Sequence, residues 1–367
     1  MSTATQNPFF STLGTPPNFI RDVQAFTARM AAMPRVMEIA QNVKVGTTPH
    51  EVTHSEDRLR VLHYQSDVEK AHRTPLLIAF ALVNRPYILD LLPHKSVVRQ
   101  FLNRGFDVYL IDWGVPTAND RHLTLENYVE RYMHNVVNHV RKRSGEDQIS
   151  LMGYCMGGTL CAMYTSLHQD LIRNFILMAA PIDWSDRESL LSVWTDEKNF
   201  DVDKMIDVFG NAPPSWLQSS FAMLKPVTNF MEKYVGFYER MTDETFLEEF
   251  FAMETWANDN IPVAGETFRQ FVKDCYQKNL LVQGKLMLGK KRIDLSKIEC
   301  PVLNLVASRD HLVPCGQSLP FNDCVGSTDR KAINFPAGHI GLAVGGKAQR
   351  ELWPKVCDWL AERSDEV

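Results

Sequence analysis

One cysteine stands in a sequence context that suits covalent catalysis. Cys155 is the central residue of the run Gly153-Tyr154-Cys155-Met156-Gly157-Gly158, which matches a Gly-x-nucleophile-x-Gly elbow. In such an elbow the glycines allow a sharp turn between a strand and a helix, and the nucleophile stands strained above the sheet. The N-terminus of the following helix favours a thiolate. The sequence therefore predicts that Cys155 is a nucleophile; the alternative is a buried cysteine in a glycine-rich turn.

A cysteine nucleophile needs a base and an orienting acid, and two late loops supply both. On α/β-hydrolase folds these groups follow the nucleophile in the order acid, then histidine, on loops after late strands. Asp310 comes just after the apolar run 301–307, and His339 follows the next predicted strand, 331–335. We therefore predict that Asp310 and His339 complete the site. His311 is a competing base, but it directly follows Asp310, so the two side chains would diverge in an extended loop.

Two backbone N–H groups are predicted to form an oxyanion hole. The first belongs to Met156, the residue after the nucleophile. The second should come from the loop after the predicted strand 76–83, at Val83 or Asn84, and we choose Val83. No HGGG-like sequence marks this loop, so its assignment depends on the position of the strand alone.

The elements that would carry these residues alternate between strands and helices. Apolar runs too short for helices predict buried strands, and stretches of helical periodicity lie between them. Repeated strand–helix–strand order predicts a parallel sheet with helices on both faces. The predicted strands are 60–64 (at the edge), 76–83, 107–112, 148–152, 175–180, 301–307 and 331–335, and the predicted helices are 96–103, 124–143, 157–168 and 349–363.

The pattern predicts an α/β-hydrolase fold with a mainly helical cap between late strands. Residues 1–45 form an N-terminal helical segment whose apolar stripe predicts a packing face. Residues 46–182 and 293–367 form the catalytic core, and 44–57, at its start, is expected to be an entry loop. Residues 183–292 are rich in Trp, Phe and Met, lack a strong β run, and form the cap.

Composition excludes several other classes of protein. The net charge of −5 and the isoelectric point near 6.1 give no general attraction to nucleic acid. No uninterrupted apolar run approaches the roughly 18 residues of a transmembrane helix, and the first residues do not resemble a secretory signal. Seven cysteines without a CxxC pair predict neither a disulfide framework nor a zinc site. We expect reduced thiols, a cytoplasmic location and no bound metal.

Further blocks of the sequence add to the elbow, Asp310 and His339. These are 81–90 (ALVNRPYILD), 112–116 (DWGVP), Asp259-Asn260, 262–266 (PVAGE), Asp310-His311 and Gly338-His339. Together they resemble the catalytic subunits of class III polyhydroxyalkanoate synthases, over roughly residues 40–360. One departure is Ala264, where we would expect proline, and it affects only the local geometry of the cap.

The resemblance implies an acyltransferase. Such an enzyme joins (R)-3-hydroxyacyl-CoA units, 3-hydroxybutyryl-CoA among them, into polyester and releases CoA, with an acyl-enzyme on Cys155 and no cofactor. The family's acid and base fall on Asp310 and His339. Asp310 either orients His339 or serves as the base for the incoming 3-hydroxyl. The resemblance also implies a second, non-catalytic subunit and a polyester granule surface, and we expect a homodimer.

Two other functions remain open at this point. A thioesterase or a dienelactone-hydrolase-like enzyme would use the same three residues and differ only in what attacks the acyl-enzyme. The aromatic-rich cap favours a site shielded from water and an alcohol acceptor. A non-catalytic protein that coats lipid or polymer inclusions would need an apolar surface but no elbow with matching Asp and His.

Overall fold

A computed structural model describes residues 19–367, which divide into two compact units. The smaller unit holds the chain up to Val43 together with Val227–Glu254, and the larger one holds Lys44–Pro226 and Thr255–Val367. The first part of the predicted N-terminal segment, residues 1–18, lies outside the described residues. The predicted cap is divided between the two units. The sequence did not predict this division, because helical periodicity predicts an apolar face but does not identify the element that packs on it. The predicted domain boundaries stay a prediction.

An eight-stranded sheet forms the centre of the larger unit. It is antiparallel at the β1–β2 and β2–β4 pairs and parallel through the rest of the order β1-β2-β4-β3-β5-β6-β7-β8. Every residue of β3, β4, β5 and β7 is buried, so both faces of the centre of the sheet are covered. The strands are β1 (His50–Glu56), β2 (Leu59–Tyr64), β3 (Leu76–Ala79), β4 (Val108–Asp112), β5 (Ile149–Tyr154), β6 (Ile172–Met178), β7 (Val302–Ala307) and β8 (Arg330–Phe335).

Two expectations about the sheet are wrong. Residues 50–56 form the edge strand β1 and not a loop, so β2 lies inside the edge. The run HEVTHSE has little apolar character because an edge strand faces solvent. Its polar side chains show no apolar pattern from which a strand could be predicted. The strand predicted over 76–83 ends at Ala79, and Trp113 Nε1 donates to the Phe80 carbonyl oxygen at 2.9 Å. Val83 therefore lies in the loop and not at the end of a strand.

The helices occupy the expected places along the chain. Those from α5 to α10 all fall between β6 and β7, which is the helical insertion that the sequence predicts. The helix expected over 124–143 starts with the π-helical turns Asn127–Met133 before α3. The α-helices are α1 (Phe19–Asn42), α2 (Val97–Leu102), α3 (His134–Ser144), α4 (Met156–Leu167), α5 (Leu190–Trp194), α6 (Val202–Phe209), α7 (Pro214–Met223), α8 (Lys233–Arg240), α9 (Glu244–Asn258), α10 (Gly265–Gln270), α11 (Cys315–Ser318), α12 (Phe321–Cys324), α13 (His339–Val344), α14 (Gly346–Glu351) and α15 (Trp353–Ala361).

Shorter elements connect these helices and strands. Two further π-helical segments cover Thr228–Glu232 and Phe271–Gln277. Among the helices of residues 19–367, none has the length and apolar character needed to span a bilayer. The remaining elements are the 3-10 turns Pro86–Leu89, Ala118–Asp120, Gln169–Leu171 and Leu295–Lys297 and the short strand pairs Asp90–Leu92 with Lys95–Ser96 and Met287–Leu288 with Lys291–Arg292.

The smaller unit has a small apolar core of its own. Val36 of α1 packs with Met241 and Leu247. The Arg35 guanidinium also donates to both carboxylate oxygens of Glu244, at 2.9 and 2.8 Å. The predicted apolar stripe of α1 contributes little to this core, because the side chains of most of its described members are exposed. These are Val23, Phe26, Met30, Met33 and Met37.

Candidate active site

Cys155 occupies a strained turn between β5 and α4. Its backbone angles are φ +56° and ψ −134°, a left-handed φ that residues other than glycine rarely adopt. Its N–H donates to the Met178 carbonyl oxygen at 2.9 Å, and its carbonyl accepts from the Gly158 N–H at 2.8 Å. These bonds and the packing around the turn hold the strained conformation. The turn has the geometry predicted for a nucleophile elbow.

The glycine after the nucleophile allows the elbow to approach the sheet closely. A Cβ on Gly157 would lie 2.4 Å from the Ala79 carbonyl oxygen and 2.5 Å from that of Phe80. Both obstacles are backbone atoms, which cannot rotate away. Only glycine therefore fits at this position, and α4 begins directly against the end of β3.

The start of α4 provides the first predicted oxyanion donor. Met156 is the first residue of the helix, so its N–H has no partner within the helix. The positive end of the helix dipole lies at the same place and favours negative charge on a thiolate or an oxyanion. The second predicted donor, Val83, lies with Asn84 in the partly exposed loop after β3, where Asn84 has a φ of +65°.

The structure pairs Asp310 with His339. Asp310 follows β7, and His339 opens α13 after the neighbouring strand β8, so both lie at the carboxyl ends of adjacent parallel strands. The His339 Nδ1–H donates to Asp310 Oδ2 at 2.6 Å. The other oxygen, Oδ1, accepts from the N–H groups of Leu312 and Val313 at 2.8 and 2.9 Å. The Asp310 side chain is fully buried, and that of His339 is 10% exposed.

Two neighbours control the charge of His339. Burial lowers the pKa of its imidazole, but the Asp310 carboxylate and Cys155 more than offset that effect and raise the pKa to about 10. His339 is therefore protonated at neutral pH, with an anionic partner at Asp310. A hydrogen bond between the Cys155 side chain and the imidazole is one cause of this rise in pKa, so the thiol and the imidazole are neighbours. The structure thus brings together the three residues predicted from the sequence.

Tyr154 is a contributor that the sequence did not reveal. Its hydroxyl donates to the His339 carbonyl oxygen at 2.9 Å, and its ring stacks on the imidazole with 5.1 Å between centroids. Burial, together with the charges of Cys155 and Asp310, raises the pKa of Tyr154 far above its usual value, so the hydroxyl stays neutral. Its only signal was its place as the variable residue of the elbow, which carries no information about such contacts.

The competing base, His311, does not share the burial of Asp310 and His339. The side chain of His311 is exposed, and its backbone carbonyl accepts from Ser189 Oγ at 3.3 Å. The seven cysteines, all within the described residues, are free thiols. Burial raises the pKa of Cys161 and of Cys275, so neither favours the thiolate. Residues 19–367 contain no group of three or more metal-ligating side chains.

One aromatic residue of the helical insertion is within electrostatic range of the nucleophile. Tyr276 belongs to the π-helical segment Phe271–Gln277, and its pKa is raised by burial and by the charge of Cys155. Its ring contacts those of Trp184 and Phe271, with centroids 5.7 and 5.9 Å away. Trp184, Phe271 and Tyr276 therefore form an aromatic cluster within electrostatic range of the thiol.

Family models and solved structures show which known proteins share this fold. One model, alpha/beta hydrolase fold, matches residues 88–345, and another, the N-terminus of poly-beta-hydroxybutyrate polymerase (PhaC), matches residues 16–101. A thermophilic esterase from Thermogutta terrifontis is similar with a TM-score of 0.50 and 13% identity, over 87% of this chain and 100% of the esterase chain. The α/β-hydrolase fold predicted from the sequence is confirmed.

Curated relatives decide the family. The poly(3-hydroxyalkanoate) polymerase subunit PhaC of Haloferax mediterranei is 47% identical over 96% of this chain and 73% of its own length. The same subunit of Synechocystis is 40% identical over 97% of this chain and 96% of its own length. The chain belongs to the poly(3-hydroxyalkanoate) polymerase family. Membership of this polymerase family confirms the predicted resemblance and the predicted enzyme class, an acyltransferase of polyhydroxyalkanoate synthesis.

Proposed function

We propose that this enzyme polymerises (R)-3-hydroxyacyl-CoA, with 3-hydroxybutyryl-CoA as the expected unit, through an acyl thioester on Cys155. One observation carries the proposal. A strained elbow presents Cys155 beside His339, and His339 is fixed by a 2.6 Å hydrogen bond to Asp310. This arrangement combines a nucleophile, a proton carrier and an orienting acid.

The first step transfers the acyl group from CoA to the enzyme. The Cys155 sulfur attacks the thioester carbonyl, the bond to the CoA sulfur breaks, and the His339 imidazolium gives its proton to that sulfur. The N–H groups of Met156 and Val83 stabilise the oxyanion that forms on the carbonyl oxygen. One thioester replaces another, so the acyl group stays activated. A serine would form a more stable oxoester and lose part of that driving force.

The second step transfers the acyl group to a hydroxyl. The 3-hydroxyl of another unit attacks the carbonyl on Cys155, and neutral His339 takes the hydroxyl proton while the thiolate leaves. We propose that Asp310 orients His339 and is not itself the base for the hydroxyl. Its side chain is fully buried, and both of its carboxylate oxygens already accept hydrogen bonds, which supports the orienting role.

Polymerisation requires that the hydroxyl reach the thioester before water does. Water is at roughly 55 M in bulk, so the site must exclude it or hold the hydroxyl at a high effective molarity. The cluster of Trp184, Phe271 and Tyr276 near Cys155 supports exclusion of water. In a thioesterase, water would need free access to the same carbon.

The remaining expectations concern partners and place. We propose that the chain works with a second, non-catalytic subunit at a polyester granule surface in the cytoplasm, as a homodimer. The curated relatives are named as polymerase subunits, which supports a further subunit. The free thiols support a reducing compartment. Acyl exchange between sulfur and oxygen needs no cofactor, and the net charge of −5 supports neither a nucleic acid nor an anionic membrane as a partner.

The fate of the acyl group tests the proposal. The purified chain, with and without a candidate second subunit, is incubated with (R)-3-hydroxybutyryl-CoA, and CoA, polyester and free 3-hydroxybutyrate are each quantified. We expect insoluble polyester, with free acid as a minor fraction of the CoA released, and a lag in the isolated chain that the second subunit relieves. Free acid that equals CoA mole for mole, with the second subunit present, would show a thioesterase and refute the polymerisation proposal.

A further inference from the structure

A turn of the helical insertion holds the loop that follows β3. The turn comprises Trp256 to Asp259, at the end of α9. Arg85 Nε donates to Asp259 Oδ1 at 3.3 Å, and the Tyr87 hydroxyl donates to Asp259 Oδ2 at 3.1 Å. In addition, Trp256 Nε1 donates to the Arg85 carbonyl oxygen at 2.8 Å. One carboxylate therefore joins Arg85, at the end of the loop, to Tyr87 in the 3-10 turn that follows, and a neighbouring indole fixes the Arg85 backbone.

The other end of the same loop is fixed by the sheet and the elbow. The Phe80 carbonyl accepts a hydrogen bond from Trp113 Nε1 at 2.9 Å. The same carbonyl lies against Gly157, the second residue of α4. Between the two fixed ends lie Val83 and Asn84, and Asn84 has a left-handed φ of +65° while its Oδ1 accepts from the Arg85 N–H at 2.7 Å. The segment that carries the second oxyanion donor is thus fixed at one end by the elbow and at the other end by the turn Trp256 to Asp259.

We propose that Asp259 is a positioning residue that sets the oxyanion loop, residues 80–85, for acyl transfer at Cys155. The inference rests on the function proposed above, because it concerns the donor that Val83 supplies there. Asp259 touches neither substrate nor nucleophile, and it acts by fixing Arg85 and Tyr87. Through this contact, the position of the turn Trp256 to Asp259 is coupled to the geometry of the oxyanion hole.

The contact of Asp259 with Arg85 and Tyr87 should affect the rate of acyl transfer more than the stability of the fold. An oxyanion donor works only at about 2.7–3.1 Å from the charged oxygen, and a displacement of about 1 Å can cost about 100-fold in rate. The Asp259 side chain is 42% exposed and that of Arg85 is 26% exposed, and ion pairs of this kind contribute little to folding. Loss of Asp259 should therefore move the loop without unfolding the protein.

The test compares two reactions of Cys155, only one of which forms an oxyanion. In the first, CoA release from (R)-3-hydroxybutyryl-CoA is measured as kcat and KM in the full chain with its second subunit. In the second, iodoacetamide alkylates the thiol by displacement of iodide, and modified Cys155 is quantified by peptide mass spectrometry. For Asp259→Asn we expect kcat to fall about 10- to 100-fold, while KM and the alkylation rate stay within about twofold because binding and the thiolate are unaffected.

Two further variants keep the result interpretable. Tyr87→Phe removes a single hydroxyl and should lower kcat in the same direction, and combined with Asp259→Asn it should lower kcat less than the product of the single effects. Asp207→Asn is the matched control, since Asp207 accepts from Arg269 at 2.8 Å in another ion pair of the insertion. That control should leave both reactions unchanged.

The contrary outcomes are separable. An unchanged kcat in Asp259→Asn, or an equal loss of alkylation and CoA release, would overturn the positioning role while leaving Cys155 as the nucleophile. If instead the wild-type enzyme keeps releasing CoA after Cys155 is fully alkylated, the proposed function itself fails. Strict multiplicativity of the Tyr87 and Asp259 effects would also count against a shared contact.

Discussion

The nucleophile elbow and the stretch Val227–Arg240 of the smaller unit differ in how densely their residues are packed. At the elbow, backbone packs on backbone so closely that a single methyl group on Gly157 would overlap two carbonyl oxygens. In Val227–Arg240, large apolar side chains are exposed, with Phe230 at 56%, Met231 at 64% and Val235 at 56%. Strain can be held only where packing is dense. Catalytic geometry should therefore be sensitive to small changes in the first region, and folding should tolerate large changes at the exposed positions of the second.

The largest effect is expected at the catalytic histidine. His339→Gln removes the group that moves protons to and from the reacting sulfur and oxygen, so the rate of CoA release should fall at least about 100-fold. His311→Gln is the matched control, because His311 adjoins Asp310 in sequence but is exposed. Steady-state rates of CoA release from (R)-3-hydroxybutyryl-CoA decide between them. A larger loss in His311→Gln than in His339→Gln would reverse the assignment of the base.

Packing at the elbow should produce the next largest effect. Gly157→Ala places a Cβ against the carbonyl oxygens of Ala79 and Phe80, so the free energy of unfolding should fall by about 3 kcal/mol. Gly145→Ala is the control, because it also adds one methyl group but meets nothing within 4 Å, with a φ of +77°. Its cost should be about 1 kcal/mol, from the left-handed backbone alone. Urea unfolding of both variants measures the difference, and equal costs would contradict the close contact.

A smaller effect should appear in the pH dependence of stability. The pKa of His339 is raised from an ordinary 6.5 to about 10 in the folded protein. The imidazolium therefore stabilises the fold fully below pH 6.5, and this contribution is lost as the pH rises through 10. The Tm difference between the wild type and His339→Gln should be large at pH 6 and shrink toward pH 10. A difference that grows with pH would contradict the charged state of His339.

The smallest effect is expected in the exposed stretch. Val235→Lys replaces an exposed apolar side chain on α8, so the free energy of unfolding should change by less than about 0.5 kcal/mol. Val36→Lys is the buried counterpart in the same unit, where Val36 packs with Met241 and Leu247. Thermal unfolding of the two variants should therefore differ clearly. Similar destabilisation by both would show that Val235 is not free of packing.

The placement of Cys155, Asp310 and His339 was predictable because each depends on a local or an ordered signal. The elbow is one contiguous run, and the order of nucleophile, acid and histidine follows the order of the strands. The strand β1 was missed because its polar sequence carries no apolar alternation. The contact of Arg85 with Asp259 joins residues 174 positions apart, and no periodicity predicts such a pairing. The pairing of α1 with Val227–Glu254 was missed for the same reason.

The most direct test of the account is the chemical state of Cys155 during turnover. The enzyme is mixed rapidly with (R)-3-hydroxybutyryl-CoA, quenched in acid, digested and analysed by mass spectrometry, with Cys155→Ala and Cys324→Ala as the paired variants. We predict a 3-hydroxybutyryl adduct on the Cys155 peptide that forms as fast as the first CoA is released, with loss of turnover in Cys155→Ala and not in Cys324→Ala. CoA release without an adduct on Cys155, or a Cys155→Ala variant that keeps a tenth of the wild-type rate, would contradict the account.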